Sequence, residues 1–143
     1  MESISLRLLK QLAKHREMSV RDCAALLPKR TNDHLDFYPL ASLIKQGHAD
    51  IYDVTTDGSP FHEGNEMDMA IDLYVWALGN EGEFQYRGEQ FRCADFRDEK
   101  IFATAKGYFA LDEMHSKREE RLWAFSVGIV SAIVAASLTG LLG

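Results

Sequence analysis

The last 22 residues, "LWAFSVGIVSAIVAASLTGLLG" (122–143), contain no Asp, Glu, Lys, Arg or His. A helix without charge for about six turns has few places to go. About 20 apolar residues cross the hydrocarbon core of a bilayer. The alternative is a core helix that is apolar all round, and the residues that precede it are too few to build a core that surrounds it. The run therefore predicts a single C-terminal transmembrane helix over 122–143. "KREER" (117–121) precedes it, and Trp123 lies at its edge, where interfacial aromatics are common. Lys117, Arg118 and Arg121 supply all the nearby positive charge, and none follows the run. The positive-inside rule then places the N-terminal domain in the cytoplasm and the chain in the inner (cell) membrane as a single-pass protein.

The same run has a second pattern. Ala124, Gly128, Ala132, Ala136 and Gly140 fall at every fourth position. Such a ridge of small side chains lets two membrane helices approach closely. It predicts a homo-oligomer with its contact along those residues.

The net charge of −6 is unevenly spread. Residues 1–55 carry eight Lys/Arg against seven Asp/Glu, whereas 56–113 carry five against thirteen. A nucleic-acid binder usually has a basic surplus, and the N-terminal part has almost none. Cys23 and Cys93 are too few for a disulfide framework, which fits a reducing compartment. The start, "MESISLRLLKQLAKHREM", is charged and amphipathic and does not read as a signal peptide.

Three helices are expected first. Ile4, Leu8 and Leu12, with Leu9 and Ala13, give a helical stripe. Ser19 followed by Asp22 has capping-box spacing, and Val20, Cys23, Ala24 and Leu27 line the helix that Pro28 closes. The third helix lies within "HLDFYPLASLIKQG", with Asp36 as its cap, Pro39 in its first turn, Leu40, Leu43 and Ile44 buried, and Gly47 as its stop. "HADIYDVTT" follows as a strand.

The acidic middle reads as an insertion over about 56–99. Residues 67–78 fit a helix capped by Asn65 and ended by Gly79. They also fit a strand, and length and caps favour the helix. Its expected buried side is Met69, Ile71, Tyr74, Val75 and Leu78. Residues 83–86 and 90–93 flank Arg87–Gly88 as a hairpin. Asp57, Glu63, Glu66, Asp68 and Asp72 are candidates for an acidic docking face. After a strand over 101–104, Thr104 caps a last helix whose Phe109, Leu111 and Met114 pack back on the domain.

Three helices and a strand, then "KIFATAKGYFALDEM" with its short strand, Thr-x-x-Gly turn and helix, resemble the winged-helix fold. The resemblance covers 3–55 and 100–114. It implies that the third helix and the turn before it face DNA. The residues carried over are Lys29, Arg30, Thr31, Asn32, His34, Ser42, Lys45 and Gln46. Asp33 and Asp36 sit where phosphate would approach, and the third helix itself offers one lysine. Phosphate contacts supply much of the affinity in such complexes, so DNA is the less favoured partner. As a whole the chain resembles small membrane-anchored winged-helix proteins of bacteria and prophages, which implies a regulatory or interaction role.

The expected architecture is α+β: a winged-helix-like domain over 1–116 with a helix-hairpin insertion, a basic juxtamembrane segment 117–121 and a transmembrane helix 122–143. No catalytic residue, metal site or cofactor is expected. The five histidines lack metal-ligand spacing, and neither a phosphate loop nor a G-x-S-x-G nucleophile is present. The expected function is a non-enzymatic interaction module that binds a protein partner at the membrane. The alternative is a membrane-tethered transcription regulator that uses the third helix.

Overall fold

A computed structural model describes residues 2–52, 64–78, 83–92 and 98–142. The chain divides into two compact units, Met1–Tyr108 and Phe109–Gly143.

In the first unit, α1 (Ile4–His15) starts where the Ser3 hydroxyl accepts the Leu6 amide at 3.2 Å, and it buries Leu8, Leu9 and Leu12. Arg16 leaves the helix with φ +69° and turns the chain into β1 (Glu17–Ser19). The sequence carries no sign of this strand. It is three residues long and exists because β5 (Lys100–Ala103) pairs with it, Met18 opposite Ile101. Ser19 ends the strand and caps α2 (Val20–Leu26), its hydroxyl accepting from the Asp22 amide at 3.1 Å. Val20, Cys23 and Leu27 are buried.

A short 3-10 helix (His34–Phe37) runs directly into α3 (Tyr38–Lys45), with Pro39 in the first turn. Asp36, expected to cap α3, points elsewhere, and no side chain caps that helix. Gly47 (φ +79°) ends α3 as expected. Its amide reaches the Ile44 carbonyl at 3.0 Å and the His48 amide reaches the Leu43 carbonyl at 2.9 Å, the paired bonds of a Schellman cap. β2 (Ala49–Ile51) follows. The first sheet has the order β1-β5-β2, all antiparallel, so the last strand in sequence lies in the middle. Ile101, at its centre, is fully buried.

Residues 66–78 form helix α4 (Glu66–Leu78), and the Asn65 side chain accepts the Asp68 amide at 2.8 Å. The expected buried side is only partly right. Met69 and Val75 are buried, together with Ala70, Leu73 and Trp76, whereas Ile71 and Tyr74 are half-buried and Leu78 is exposed. The helix is apolar around most of its circumference, so periodicity does not select the inward arc. α4 packs against α2, α3 and the 3-10 helix, and three of its residues rank with the largest fully buried side chains. The segment read as an insertion thus supplies the core. The hairpin β3 (Glu83–Tyr86) and β4 (Glu89–Arg92) turns on Arg87 (φ +52°) and Gly88 (φ +82°), as a two-residue turn with both φ positive requires. Cys93, Asp57 and Glu63 lie outside the described residues.

Helix α5 (Ala105–Leu142) begins at Thr104, whose hydroxyl accepts the Gly107 amide at 3.2 Å. The junction is tight. The Thr104 amide donates to the His48 carbonyl at 3.0 Å, the Thr104 hydroxyl to the Gly47 carbonyl, and Lys106 Nζ to the Gln46 carbonyl at 2.7 Å. The Thr-x-x-Gly motif therefore caps α5 and also satisfies the carbonyls left open at the end of α3.

The second unit is the remainder of α5. Here the transmembrane expectation is overturned. Among the described residues, no helix is long and apolar enough to cross a membrane. Half of 122–143 is Gly, Ala, Ser or Thr, although no charge interrupts the run. The hydroxyls of Ser126, Ser137 and Thr139 fold back onto carbonyls four residues earlier, each at 2.9 Å. The chain is α+β with a long C-terminal helix. The single-pass inner-membrane location, and the orientation read from Lys117, Arg118 and Arg121, lose their basis with the span. Of the three residues expected to pack back, Leu111 is buried and Phe109 and Met114 are exposed.

Candidate functional site

The turn between α2 and α3 holds most of the expected DNA-facing residues, and one carboxylate organises it. Asp36 Oδ1 accepts the Arg30 amide at 3.1 Å and the Thr31 amide and hydroxyl at 3.0 Å. Its Oδ2 accepts the Asn32 amide at 2.9 Å. Three successive amides converging on an anion form the kind of backbone nest that elsewhere holds phosphate, and here the chain's own carboxylate fills it. Desolvation raises the Asp36 pKa, but the bonds from Thr31, Arg30 and Asn32 outweigh it and hold the group below the usual carboxylate range. Asp33 is likewise lowered, by the Thr31 hydroxyl and the Leu35 amide, and its carboxylate caps the 3-10 helix. Asn32 takes φ +56°, a conformation that asparagine tolerates better than most residues.

The remaining expected residues are scattered around α3. The His34 ring is buried, only 6% exposed. Its Nδ1 lies 2.9 Å from the Tyr86 hydroxyl and its Nε2 3.2 Å from the Arg87 guanidinium. A guanidinium only donates, so Nε2 accepts, and Nδ1 carries the proton that it donates to Tyr86. This cluster ties the β3–β4 hairpin to the 3-10 helix, and Tyr86 also stacks near Tyr74 of α4 at 5.0 Å between ring centres. Ser42 Oγ accepts from Gln46 Nε2 at 2.8 Å, and Lys45 Nζ donates to the Gly64 carbonyl at 3.0 Å. Lys29, Arg30 and Thr31 are exposed. His34 is therefore buried away from any surface that the other seven could share.

Of the candidate acidic face, Asp57 and Glu63 lie outside the described residues, and Glu66, Asp68 and Asp72 lie on α4. Asp68 is exposed and bonded to the Asn65 amide group at 2.7 Å. Asp72 is half-buried, and burial, with the Asp68 and Glu89 carboxylates nearby, pushes its pKa up to about 6. Ala124, Gly128, Ala132, Ala136 and Gly140 are all exposed on α5, and a Cβ added at Gly128 or Gly140 would meet nothing within 4 Å.

One concavity in the first unit has the dimensions of a binding site. A groove of about 440 Å³ lies between α2, the 28–33 turn and α4. Its floor is Leu27, Phe37 and Tyr74, and Ala24, Ala25 and Ala77 give it depth where larger side chains would fill it. Arg21 and Lys29 stand at its rim, and the Tyr74 hydroxyl donates to the Asn32 carbonyl at 3.3 Å, bracing the turn against α4. Volume and apolar lining suit a few inserted side chains. Nothing in the amino-acid order marks this groove, because α4 is distant in sequence from α2. The Thr31–Asn32–Asp33 run signals the turn chemistry alone. Among the described residues no group of His, Cys, Asp and Glu is placed to hold a metal ion. Burial pushes the Cys23 thiol up to about 12, with Asp22 adding to it, so the thiolate that a nucleophile needs is suppressed. No family model, curated protein or solved structure matches the chain.

Proposed function

We propose that the first unit is a non-enzymatic interaction module that takes an apolar segment of a partner protein into the groove between α2 and α4. The observation that carries this reading is the groove itself. It is open and lined largely by apolar side chains, and Ala24, Ala25 and Ala77 leave it space between the two helices. Arg21 and Lys29 line it together with Asp33 and Asp36, so its charges balance and its apolar lining sets what it takes. The unit is read as winged-helix-like. Three helices, then β2 beside the closing strand β5, support that reading.

The competing reading is a DNA-binding regulator that uses α3. Several features weigh against it. Asp36 occupies the amides of the turn, His34 is buried, and α3 has eight residues, four of them buried.

Affinity capture on the full chain separates the two. Ala25→Glu/Leu78→Glu places charge at two exposed positions of the groove. The module reading expects a partner retained by the wild type and by Lys29→Ala/Arg30→Ala that is lost with the groove variant. A gel shift that weakens with salt and disappears in Lys29→Ala/Arg30→Ala would overturn the module reading in favour of the regulator.

A further inference from the structure

The second unit carries an inference that is independent of the groove. It is a single helix, and from Leu122 on its described large apolar side chains stand in solvent: Trp123 is 72% exposed, Phe125 69% and Ile133 61%. With Leu122, Val127, Ile129 and Leu138, also exposed, these leave roughly 900 Å² of apolar side-chain surface on each chain, given ordinary side-chain sizes. The largest apolar patch on a typical monomer is about 300–600 Å², and a stable interface takes about 800 Å² from each partner. Helices in water owe most of their stability to packing of such a face. Spread over both sides of the helix, this area fits contacts with more than one neighbour.

The arrangement of these residues points to the occupant. Leu111, Met114 and Arg118 are followed by Leu122, Phe125 and Ile129, and then by Ile133, Ala136 and Gly140, each set eleven residues after the last. An 11-residue repeat returns to nearly the same side of a helix after three turns, so these positions run as one stripe with a slight right-handed drift. Trp123, Val127 and Leu138 lie on the other side. No Asp, Glu, Lys, Arg or His stands anywhere in 122–143 to select a partner of opposite charge. Beyond Arg118 the stripe is periodic and uncharged, so it is complementary to itself, and closed symmetric assemblies of one chain are the commonest oligomers.

We propose that α5 beyond Phe109 is an assembly helix, burying the Leu122, Phe125, Ile129 and Ile133 stripe against other copies of this chain. Apolar residues on both sides call for neighbours on both sides, so the assembly is a bundle of at least three helices.

Sedimentation equilibrium of the full chain in detergent-free buffer tests this, together with flotation on phosphatidylcholine vesicles. The expected result is one defined species of at least three times the chain mass that does not float with the vesicles. Phe125→Ala/Ile129→Ala removes the bulk and keeps good helix formers, so the tail stays helical by circular dichroism while the dissociation constant rises at least about tenfold. A monomer at every concentration, a polydisperse aggregate, a chain that floats with the vesicles as a monomer, or a double variant with unchanged mass would each overturn the proposal.

Discussion

Gly107 shows how much one residue decides in this fold. A Cβ built on it would lie 2.2 Å from the His48 carbonyl oxygen and 3.0 Å from the Leu9 side chain. The oxygen is backbone and already accepts the Thr104 amide, so it has no room to move. Gly107→Ala should destabilise the first unit by about 2–3 kcal/mol, the ordinary cost of overpacking, measured by urea denaturation. Asp72 works in the opposite direction. Its folded pKa is raised to about 6, so the folded state holds the proton more tightly than the unfolded chain does. Its contribution is fully present below about 4 and is lost as pH rises through about 6. Asp72→Asn should therefore raise stability at pH 7 by about 1–2 kcal/mol and flatten the melting temperature between those pH values. A variant that melts below the wild type at pH 7 would contradict this.

At the scale of elements, the hairpin depends on a few polar contacts. The Tyr86 hydroxyl meets His34 Nδ1, and Arg87 meets the other ring nitrogen. Tyr86→Phe leaves a buried imidazole proton without that acceptor. The expected cost is about 1–2 kcal/mol, with faster amide exchange in Glu83–Tyr86 and Glu89–Arg92 than in α4. Equal acceleration in both elements would show that the hairpin and α4 open as one. Helix α2 depends in the same way on Ser19. Ser19→Ala should cost about 1 kcal/mol through the lost cap, and Ser19→Asp should recover most of it. This cap was legible from residue order alone, since capping acts over three residues. The inward face of α4 was legible only in part: Met69 and Val75 were expected there, but Leu73 is buried in preference to Ile71 and Leu78 by what α2 and α3 present.

For the whole molecule, the two units make separable demands. The first unit has its own core, in which Leu8, Leu40, Met69, Leu73 and Ile101 are almost wholly buried. A chain ending at Lys117 should therefore keep its thermal transition within about 4 °C of the full chain's, less than the shift that 1 kcal/mol gives a domain of this size. A larger fall would mean that the helix beyond Lys117 contributes to that core. The groove and the apolar helix likewise fail independently, since their variants read out in partner capture and in chain mass.

What the residues determined by themselves is local. Ser19, Asn65 and Thr104 as caps, Gly47 as a stop and Arg87–Gly88 as a hairpin turn all act through neighbours a few positions away. The charge-free C-terminal run was equally plain, and it gave a helix. It did not give a membrane span: among the described residues no helix is long and apolar enough to cross a membrane. The tertiary structure decided what rests on distant pairing. It made β1 a strand by placing β5 beside it, put α4 in the core rather than in an appendage, and turned Asp36 from a helix cap into the anion of its own loop. It also made the groove, which needs α2 and α4 side by side, and whose alanines are notable only for the larger residues they are not.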